Sequence, residues 1–254
     1  MSEEPVELYL KKLEKWRINQ NLSRADAAKE LGIPRGTYAN WYRKGKSKTK
    51  PSGRYVQWLK SFLTTRGILS GEKFLEHEGP ETLRRIGFEK ELTVMDFGCG
   101  NGDYSLMISR AVGPNGQVFA IDKNKDVLYE MMGRARGEKL DNIKMLHLSD
   151  SESDPPTEID LPTGSINAGW FADVLHDGYF EEDELKGELI KDVRRVLSPD
   201  GFLAFHPIHM DKKRLKKIIE DRGFRAEKNQ KHELLFHGSE FHRGTVLKFK
   251  KADG

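Results

Sequence analysis

The chain has 254 residues, with 43 Lys and Arg against 40 Asp and Glu, so its formal net charge is only +3. This length can hold one large or two modest domains, and so small a charge does not by itself indicate a nucleic-acid partner. The single cysteine excludes an internal disulfide and a cysteine-based zinc site. We find no long apolar run and no signal-peptide pattern, and therefore expect a cytoplasmic protein with no membrane partner.

Three short helices are predicted at the start of the chain. The first, from about residue 5 to 20, is indicated by four apolar residues at helical spacing: Val6, Leu10, Leu13 and Trp16. Ser23 suits the N-cap of a second helix and Gly32 its end, while Pro34 suits the start of a third helix that runs to Arg43. These signals predict a small all-α domain over residues 1–66.

The segment from Leu22 to Lys46 resembles the phage-repressor-type helix-turn-helix, whose third helix enters the major groove of DNA. The resemblance implies that six side chains face DNA: Arg35, Thr37, Asn40, Lys44, Lys46 and Lys48. Asn40 is suited to an adenine edge, and the lysines are suited to phosphates. The alternative is a helical docking or dimerisation module whose lysines are merely solvated.

A glycine-rich turn opens a second predicted domain, residues 91–254, after a linker and lead-in helix over residues 67–90. An apolar strand from Val94 is followed by three glycines on alternate positions: Gly98, Gly100 and Gly102. Glycine allows a ligand to approach the backbone, and the helix that follows offers free N–H groups, so the stretch predicts a nucleotide-cofactor site. Asp103 stands where a dinucleotide fingerprint needs its third glycine, and its carboxylate would repel a pyrophosphate.

The pattern Asp96-x-Gly98-x-Gly100-x-Gly102 resembles motif I of class I S-adenosylmethionine (SAM)-dependent methyltransferases. The resemblance implies that SAM is the cofactor and that the loop cradles its amino-acid end. The cofactor contacts expected on this stretch are Asp96, Phe97, Gly98, Gly100, Asn101 and Gly102.

Two further strands are predicted to end beside the same cofactor. The run from Val118 to Asp122 predicts a buried strand that ends in an acid. Because parallel strands end on the same side of a sheet, Asp122 should accept hydrogen bonds from the ribose hydroxyls, with Lys123 at the edge of the adenine. A third apolar run leads to Ser149 and Asp150, where the resembling family places an acid that contacts the adenine amino group.

The segment after the fourth predicted strand, Phe171 to Asp177, resembles the "VLHH/VLHD" segment of small-molecule methyltransferases similar to those of quinone biosynthesis. By position, Phe171 would contact the cofactor and His176 would face the substrate. Histidine has a pKa suited to a general base, so His176 is the catalytic candidate. The alternative is a histidine that forms a structural hydrogen bond.

A helix end, a turn and a fifth strand are predicted from Val196 to Phe205, a stretch that resembles the "RVLxPGG" turn of the same family. Asp200 replaces the first glycine of that turn. The chain is then expected to end in an antiparallel pair of strands, at about residues 227–236 and 245–250.

Two other patterns in the sequence resemble functional sites but do not meet their requirements. The sequence Asp-Pro-Pro-Thr that ends at Thr157 resembles the Asp-Pro-Pro-aromatic motif of nucleic-acid methyltransferases, but it comes one strand too early and lacks the aromatic residue. His206 and His209 flank the end of the predicted fifth strand, where with His176 and Asp177 they could ligate a divalent ion. No established ligand spacing supports that site, so we predict no metal.

These features predict an α/β protein, with a Rossmann-like class I methyltransferase fold and a mostly parallel seven-stranded sheet, preceded by a small all-α helix-turn-helix domain. The expected activity is transfer of a methyl group from SAM to a small-molecule acceptor. One alternative is a DNA-binding transcriptional regulator that uses the SAM domain as a sensor, and another is a nucleic-acid methyltransferase. The sequence is also compatible with a homodimer.

Overall fold

The computed structural model describes residues 5–43, 50–65, 74–148, 157–228, 231–237 and 240–252. The chain divides into two compact units. One, which we call the helical unit, comprises Met1–Phe74 and Phe236–Arg243. The other, the sheet unit, comprises Leu75–Leu235 and Gly244–Gly254. The predicted boundaries at residues 66 and 90 stay predictions.

Four helices are described in the helical unit: α1 Pro5–Asn19, α2 Arg24–Glu30, α3 Arg35–Trp41 and α4 Gly53–Thr65. The predicted capping of α2 is confirmed, because the Ser23 hydroxyl accepts the Asp26 amide at 3.1 Å. The chain turns after α2 at Gly32, whose φ of +63° suits glycine. Tyr38 and Trp41 of α3 are buried against the other helices, which explains why these large residues recur three positions apart.

The sheet unit alternates strands and helices along most of its length. Its described strands are β1 Thr93–Phe97, β2 Gln117–Asp122, β3 Ile143–His147, β4 Ile166–Ala172, β5 Leu197–His206, β6 Phe224–Ala226, β7 Lys231–His237 and β8 Glu240–Lys251, the last two of which extend into residues of the helical unit. Its described helices are a π-helix at Phe74–Glu78, whose first residue belongs to the helical unit, then α5 Gly79–Ile86, α6 Asp103–Val112, α7 Lys125–Gly137, α8 Asp183–Val196 and α9 Lys212–Glu220. None of the described helices is long and apolar enough to cross a bilayer.

Within the described ranges the strands follow the order β3-β2-β1-β4-β5-β8-β6, and β7 pairs with β8 outside this order. Strands β1 to β5 are parallel, whereas β8 runs antiparallel to β5 and β6. The predicted mostly parallel sheet of seven strands is confirmed, with β7 as an addition to one end of β8. The strand order reverses between β1 and β4, which opens the crevice where parallel α/β sheets bind ligands.

The turn predicted before the fifth strand is wrong. Leu197 already pairs with Ile166 of β4, and the next described pair is Phe202 with Ala168. Between these two pairs the chain advances by two residues in β4 but by five in β5. The residues between form a wide irregularity within one strand instead of a separate turn. A Cβ at Gly201 would lie 2.9 Å from the Asn167 carbonyl oxygen, so this crowded position requires glycine.

An ion network fixes the segment that follows β4. The ammonium of Lys186, on α8, is completely buried and lies 2.8 Å from Asp177 and 3.0 Å from Asp183. Arg214, on α9, binds the same two carboxylates at 2.8 and 2.7 Å. Since a buried ammonium is costly without such partners, the network ties the post-β4 segment to both helices.

Candidate cofactor and substrate site

The loop between β1 and α6 has the backbone that its glycines predict. Gly98, Gly100 and Gly102 have φ values of +70°, +51° and +84°. A Cβ on Gly98 would lie 2.5 Å from Val174 Cγ2, and one on Gly102 would lie 2.0 Å from Met131 Cγ. A Cβ on Gly100 would meet nothing within 4 Å. Two of the glycines therefore serve internal packing, while the third borders open space that a ligand could occupy.

Asp122, at the end of β2, binds this loop directly. Its Oδ2 accepts the Gly100 amide at 2.9 Å, and its Oδ1 accepts the Asn124 amide at 2.9 Å. An ionised carboxylate has about four acceptor positions, so two bonds leave capacity for further donors. The structure thus brings Asp122 to the glycine loop, with exposed Lys123 beside it. Their contacts with ribose and adenine stay predictions.

Asp96 lies beneath the loop and is only 2% exposed. Burial raises its pKa to about 7, the nearby charges of Asp122 and Asp103 act in the same direction, and a 2.5 Å hydrogen bond from Ser105 opposes them. Phe97 is also buried, where it stacks on Phe171 at 5.5 Å. These side chains therefore support the site from below, and their predicted contacts with the cofactor are untested.

Asn101, which follows Gly100, is exposed, and its side chain binds Asp103. Asp103 also forms an ion pair with Arg134 at 2.8 Å, and Arg134 donates to the Asn101 carbonyl at 2.6 Å. The carboxylate expected to repel a pyrophosphate is therefore partly neutralised by an arginine that sequence spacing did not indicate.

Several other predicted site residues lie elsewhere or cannot be placed. Ser149 and Asp150, and likewise Lys44, Lys46 and Lys48, lie outside the described residues. On α3, Arg35 is exposed, whereas Thr37 and Asn40 are partly exposed.

Cys99 is buried and its thiol pKa is raised by burial, so it is a poor nucleophile.

A pocket lies at the carboxyl ends of β4 and β5. It encloses about 10 Å³, the space of about one water molecule. Its lining includes Phe171, Asp173, His176, Phe205, His206 and Met210. Phe171 stacks on Phe205 with ring centroids 4.5 Å apart, which makes the inner wall aromatic. The pocket therefore lies at the edge of the sheet where open α/β sheets bind their ligands.

Asp173 is the centre of the polar part of this pocket. It is a non-glycine residue with φ of +54°, a conformation that is strained and often found at functional sites. Its Oδ1 accepts the amides of Ile208 and His209, and its Oδ2 lies 2.5 Å from His209 Nδ1. Burial would raise the pKa of Asp173, but these hydrogen bonds with His209 and Ile208 outweigh it and lower the pKa.

His176 lies at the mouth of the same pocket. Its Nδ1 accepts the Gly178 amide at 3.0 Å, and its ring centroid lies 4.9 Å from that of Tyr179 and 5.8 Å from that of His209. Among the described residues, no group of three His, Cys, Asp or Glu side chains is arranged to hold a metal ion.

Sequence reasoning missed the pairing of Asp173 with His209. The two residues are 36 positions apart and follow different strands. The available signal was an acid directly after the fourth strand and a histidine after the fifth, because parallel neighbours end side by side. That signal predicts proximity, but not which of the nearby histidines forms the bond.

The sequence profile of a family described as "Methyltransferase domain" matches residues 88–251. The chain belongs to this methyltransferase family. The match spans the eight described strands, the loop between β1 and α6, and the segment after β4.

Curated relatives are similar over a shorter stretch. A demethylmenaquinone methyltransferase from Geobacillus sp. (strain WCH70) is 30% identical over 67 residues, which are 26% of this chain and 29% of the relative. A protein of the same name from Staphylococcus aureus (strain JH9) is 32% identical over 65 residues, 26% of either chain. The chain therefore matches little more than a quarter of the length of these relatives.

Solved structures share the fold over a longer range. A SAM-dependent methyltransferase from Aquifex aeolicus has a TM-score of 0.51 and 21% identity, covering 69% of this chain and 92% of its own. The YcgJ protein from Bacillus subtilis has a TM-score of 0.53 and 12% identity, covering 70% of this chain and 100% of its own. The chain thus carries a SAM-dependent methyltransferase domain, and SAM is the cofactor, as predicted. The open space at Gly100 and the spare acceptor capacity of Asp122 fit that cofactor.

We expect Gly100→Ala to weaken SAM binding at least tenfold in calorimetry, because the added Cβ would enter the space beside the loop. Gly164→Ala is a matched control, since Gly164 also has positive φ, at +70°, and also has nothing within 4 Å of its Cβ position. Gly164 precedes β4, at the opposite edge of the sheet. Both variants should lose about 1 kcal/mol of stability from backbone strain. Equal SAM affinities in the two variants would contradict the placement of the cofactor.

The buried Asp96 predicts a pH-dependent gain in stability for Asp96→Asn in the ligand-free protein. The carboxyl pKa is 3.8 unperturbed and about 7 when folded, so the wild type loses stability as the pH rises from about 4 to about 7. The amide does not ionise, so the variant should be more stable by about 1–4 kcal/mol at pH 8 and by less than half of that at pH 5. Urea unfolding at both pH values measures this difference, with exposed Asp141→Asn as the control.

Proposed function

We propose that this protein transfers the methyl group of SAM to a small-molecule acceptor. The observation that carries the proposal is the position of the pocket at the carboxyl ends of β4 and β5, in the same crevice as the glycine loop, within a domain of the methyltransferase family. The relatives named as demethylmenaquinone methyltransferases favour a quinone-type ring compound as the acceptor.

When bound, SAM supplies an activated methyl group, so the protein's task is to bind, align and exclude water. The loop from Gly98 to Gly102 borders open space at Gly100, and Asp122 offers carboxylate oxygens. The aromatic wall that contains Phe171 excludes water from the reacting end. His176, as predicted from its position, contacts the acceptor from the mouth of the pocket.

The activity is tested by incubating the intact protein with methyl-labelled SAM and a cell extract, then separating small molecules, nucleic acid and protein. We expect label in the small-molecule fraction, and a loss of at least tenfold for Asp122→Ala because the cofactor loses an acceptor. Label in the nucleic-acid fraction would instead identify a nucleic-acid methyltransferase. Tight SAM binding with no label in any fraction would favour a SAM-sensing regulator.

A second candidate function is DNA binding by the helical unit. The supporting observation is the segment α2–turn–α3, in which Gly32 forms the turn and Tyr38 and Trp41 are buried while Arg35 is exposed. Burial of one face of α3 leaves the other face available for a partner, as the helix-turn-helix requires.

DNA binding is tested with the intact chain and a labelled 30-bp duplex of random sequence in fluorescence anisotropy. We expect measurable affinity at low salt, a steep loss with added salt, and about a two- to tenfold weakening for Arg35→Ala. Lys217→Ala, at an exposed lysine on α9, is the charge-matched control. Absence of binding at low salt would favour the docking or dimerisation module.

A further inference from the structure

The hydrogen bonds of two neighbouring histidines determine which ring nitrogen of each carries the proton. The Gly178 amide donates to His176 Nδ1, so this nitrogen holds a lone pair and the neutral ring carries its proton on Nε2. The carboxylate of Asp173 can only accept, so His209 Nδ1 carries the proton and its Nε2 holds the lone pair. One histidine therefore offers a donor and the other an acceptor.

From this arrangement we infer that His209 is the general base of methyl transfer, that Asp173 is its positioning residue, and that His176 is a hydrogen-bond donor to the acceptor molecule. The inference rests on the proposed function and deepens it. It also reassigns the catalytic role that the sequence suggested for His176, because the lone pair of that ring already accepts the Gly178 amide.

His209 lies beside the pocket, in contact with two of the residues that line it, Asp173 and His176. The His209 side chain is 61% exposed, whereas Asp173 is 5% exposed, so the base is accessible and the group that orients it is protected. The two imidazole centroids are 5.8 Å apart, close enough for both rings to contact one small molecule. Asp173 is held in its strained backbone conformation by the amides of Ile208 and His209, so its carboxylate is fixed before any acceptor binds.

The reaction step is balanced as follows. The proton of the acceptor's X–H group moves to His209 Nε2, and the resulting imidazolium is stabilised by the carboxylate of Asp173. The lone pair on X forms the new bond to the methyl carbon, while the carbon–sulfur bond breaks and its electron pair stays on sulfur. This chemistry requires an acceptor with an ionisable hydroxyl or acidic carbon. The donor on His176 further favours a second oxygen near it, so the acceptor class is a dioxygenated small molecule such as an enolic carbonyl or a hydroxylated ring.

The described titratable groups around His209 come from several elements. Asp173 and His176 follow β4, and His206 ends β5. On its own segment, Asp211 caps α9 through the amides of Lys213 and Arg214. The carboxylate of Asp173 is in direct contact with the His209 ring.

The first test is long-range ¹H–¹⁵N NMR of the imidazoles in the intact protein at pH 9, where histidines are neutral. We expect His209 in the Nδ1–H form and His176 in the Nε2–H form. Asp173→Asn keeps an oxygen for the two backbone amides but removes the charge, so His209 should shift toward the ordinary mixture of tautomers. If Asp173 had a purely structural role, Asp173→Asn would lower the melting temperature without moving these resonances. His209 with its proton on Nε2 in the wild type would overturn the inference.

The second test follows label transfer into the small-molecule fraction of a cell extract between pH 6 and 9. His209→Gln should lower the rate at least 100-fold at pH 7 and change its pH profile, because the residue that takes the proton is gone. His77→Gln, at a histidine whose side chain is 77% exposed, is the control and should match the wild type. A wild-type rate and pH profile in His209→Gln would overturn this inference but leave the proposed function standing. Absence of label with the wild type would overturn the proposed function as well.

Discussion

The hydrogen bond from the Gly100 amide to Asp122 is the contact on which the candidate cofactor site depends. It joins the loop after β1 to the end of β2, two segments that the parallel pairing of the strands brings to the same edge of the sheet. The bond also contacts Gly100 in its left-handed conformation, in which open space surrounds the position of a Cβ. Asp122 thus shapes the loop as well as offering oxygens to a ligand, so loss of its carboxylate would affect both.

Asp173 has a corresponding role on the other side of the crevice. It follows β4, yet three of its hydrogen bonds go to the segment after β5, and its strained backbone is maintained by them. The ion network of Lys186 and Arg214 fixes the next residues of the same segment against two helices. The mouth of the pocket is therefore connected to several elements of the fold, which favours the alignment of two reactants.

The two buried carboxyl groups differ because their surroundings differ. Asp96 has one described hydrogen-bond donor, Ser105, and lies near other acids, so its pKa rises to about 7. Asp173 receives three donors, so its pKa falls despite its burial. The protein thus keeps a largely neutral acid beneath the cofactor loop at low pH and an ionised one beside His209. This separation suits Asp173 to orient a histidine and suits Asp96 to pack within the core.

The sequence by itself determined the local elements and their order. Alternate glycines after an apolar run required a tight loop, and an acid at the end of the next strand had to lie beside it because parallel strands end together. It could not determine contacts between distant segments, such as Arg134 with Asp103 or His209 with Asp173, because these depend on how helices and loops pack. For the same reason the stretch before Phe202 was predicted as a turn, whereas pairing with β4 keeps it within a strand. Only the tertiary structure decided which ring nitrogen of each histidine forms a hydrogen bond within the protein, since that depends on a backbone amide for His176 and on a buried carboxylate for His209.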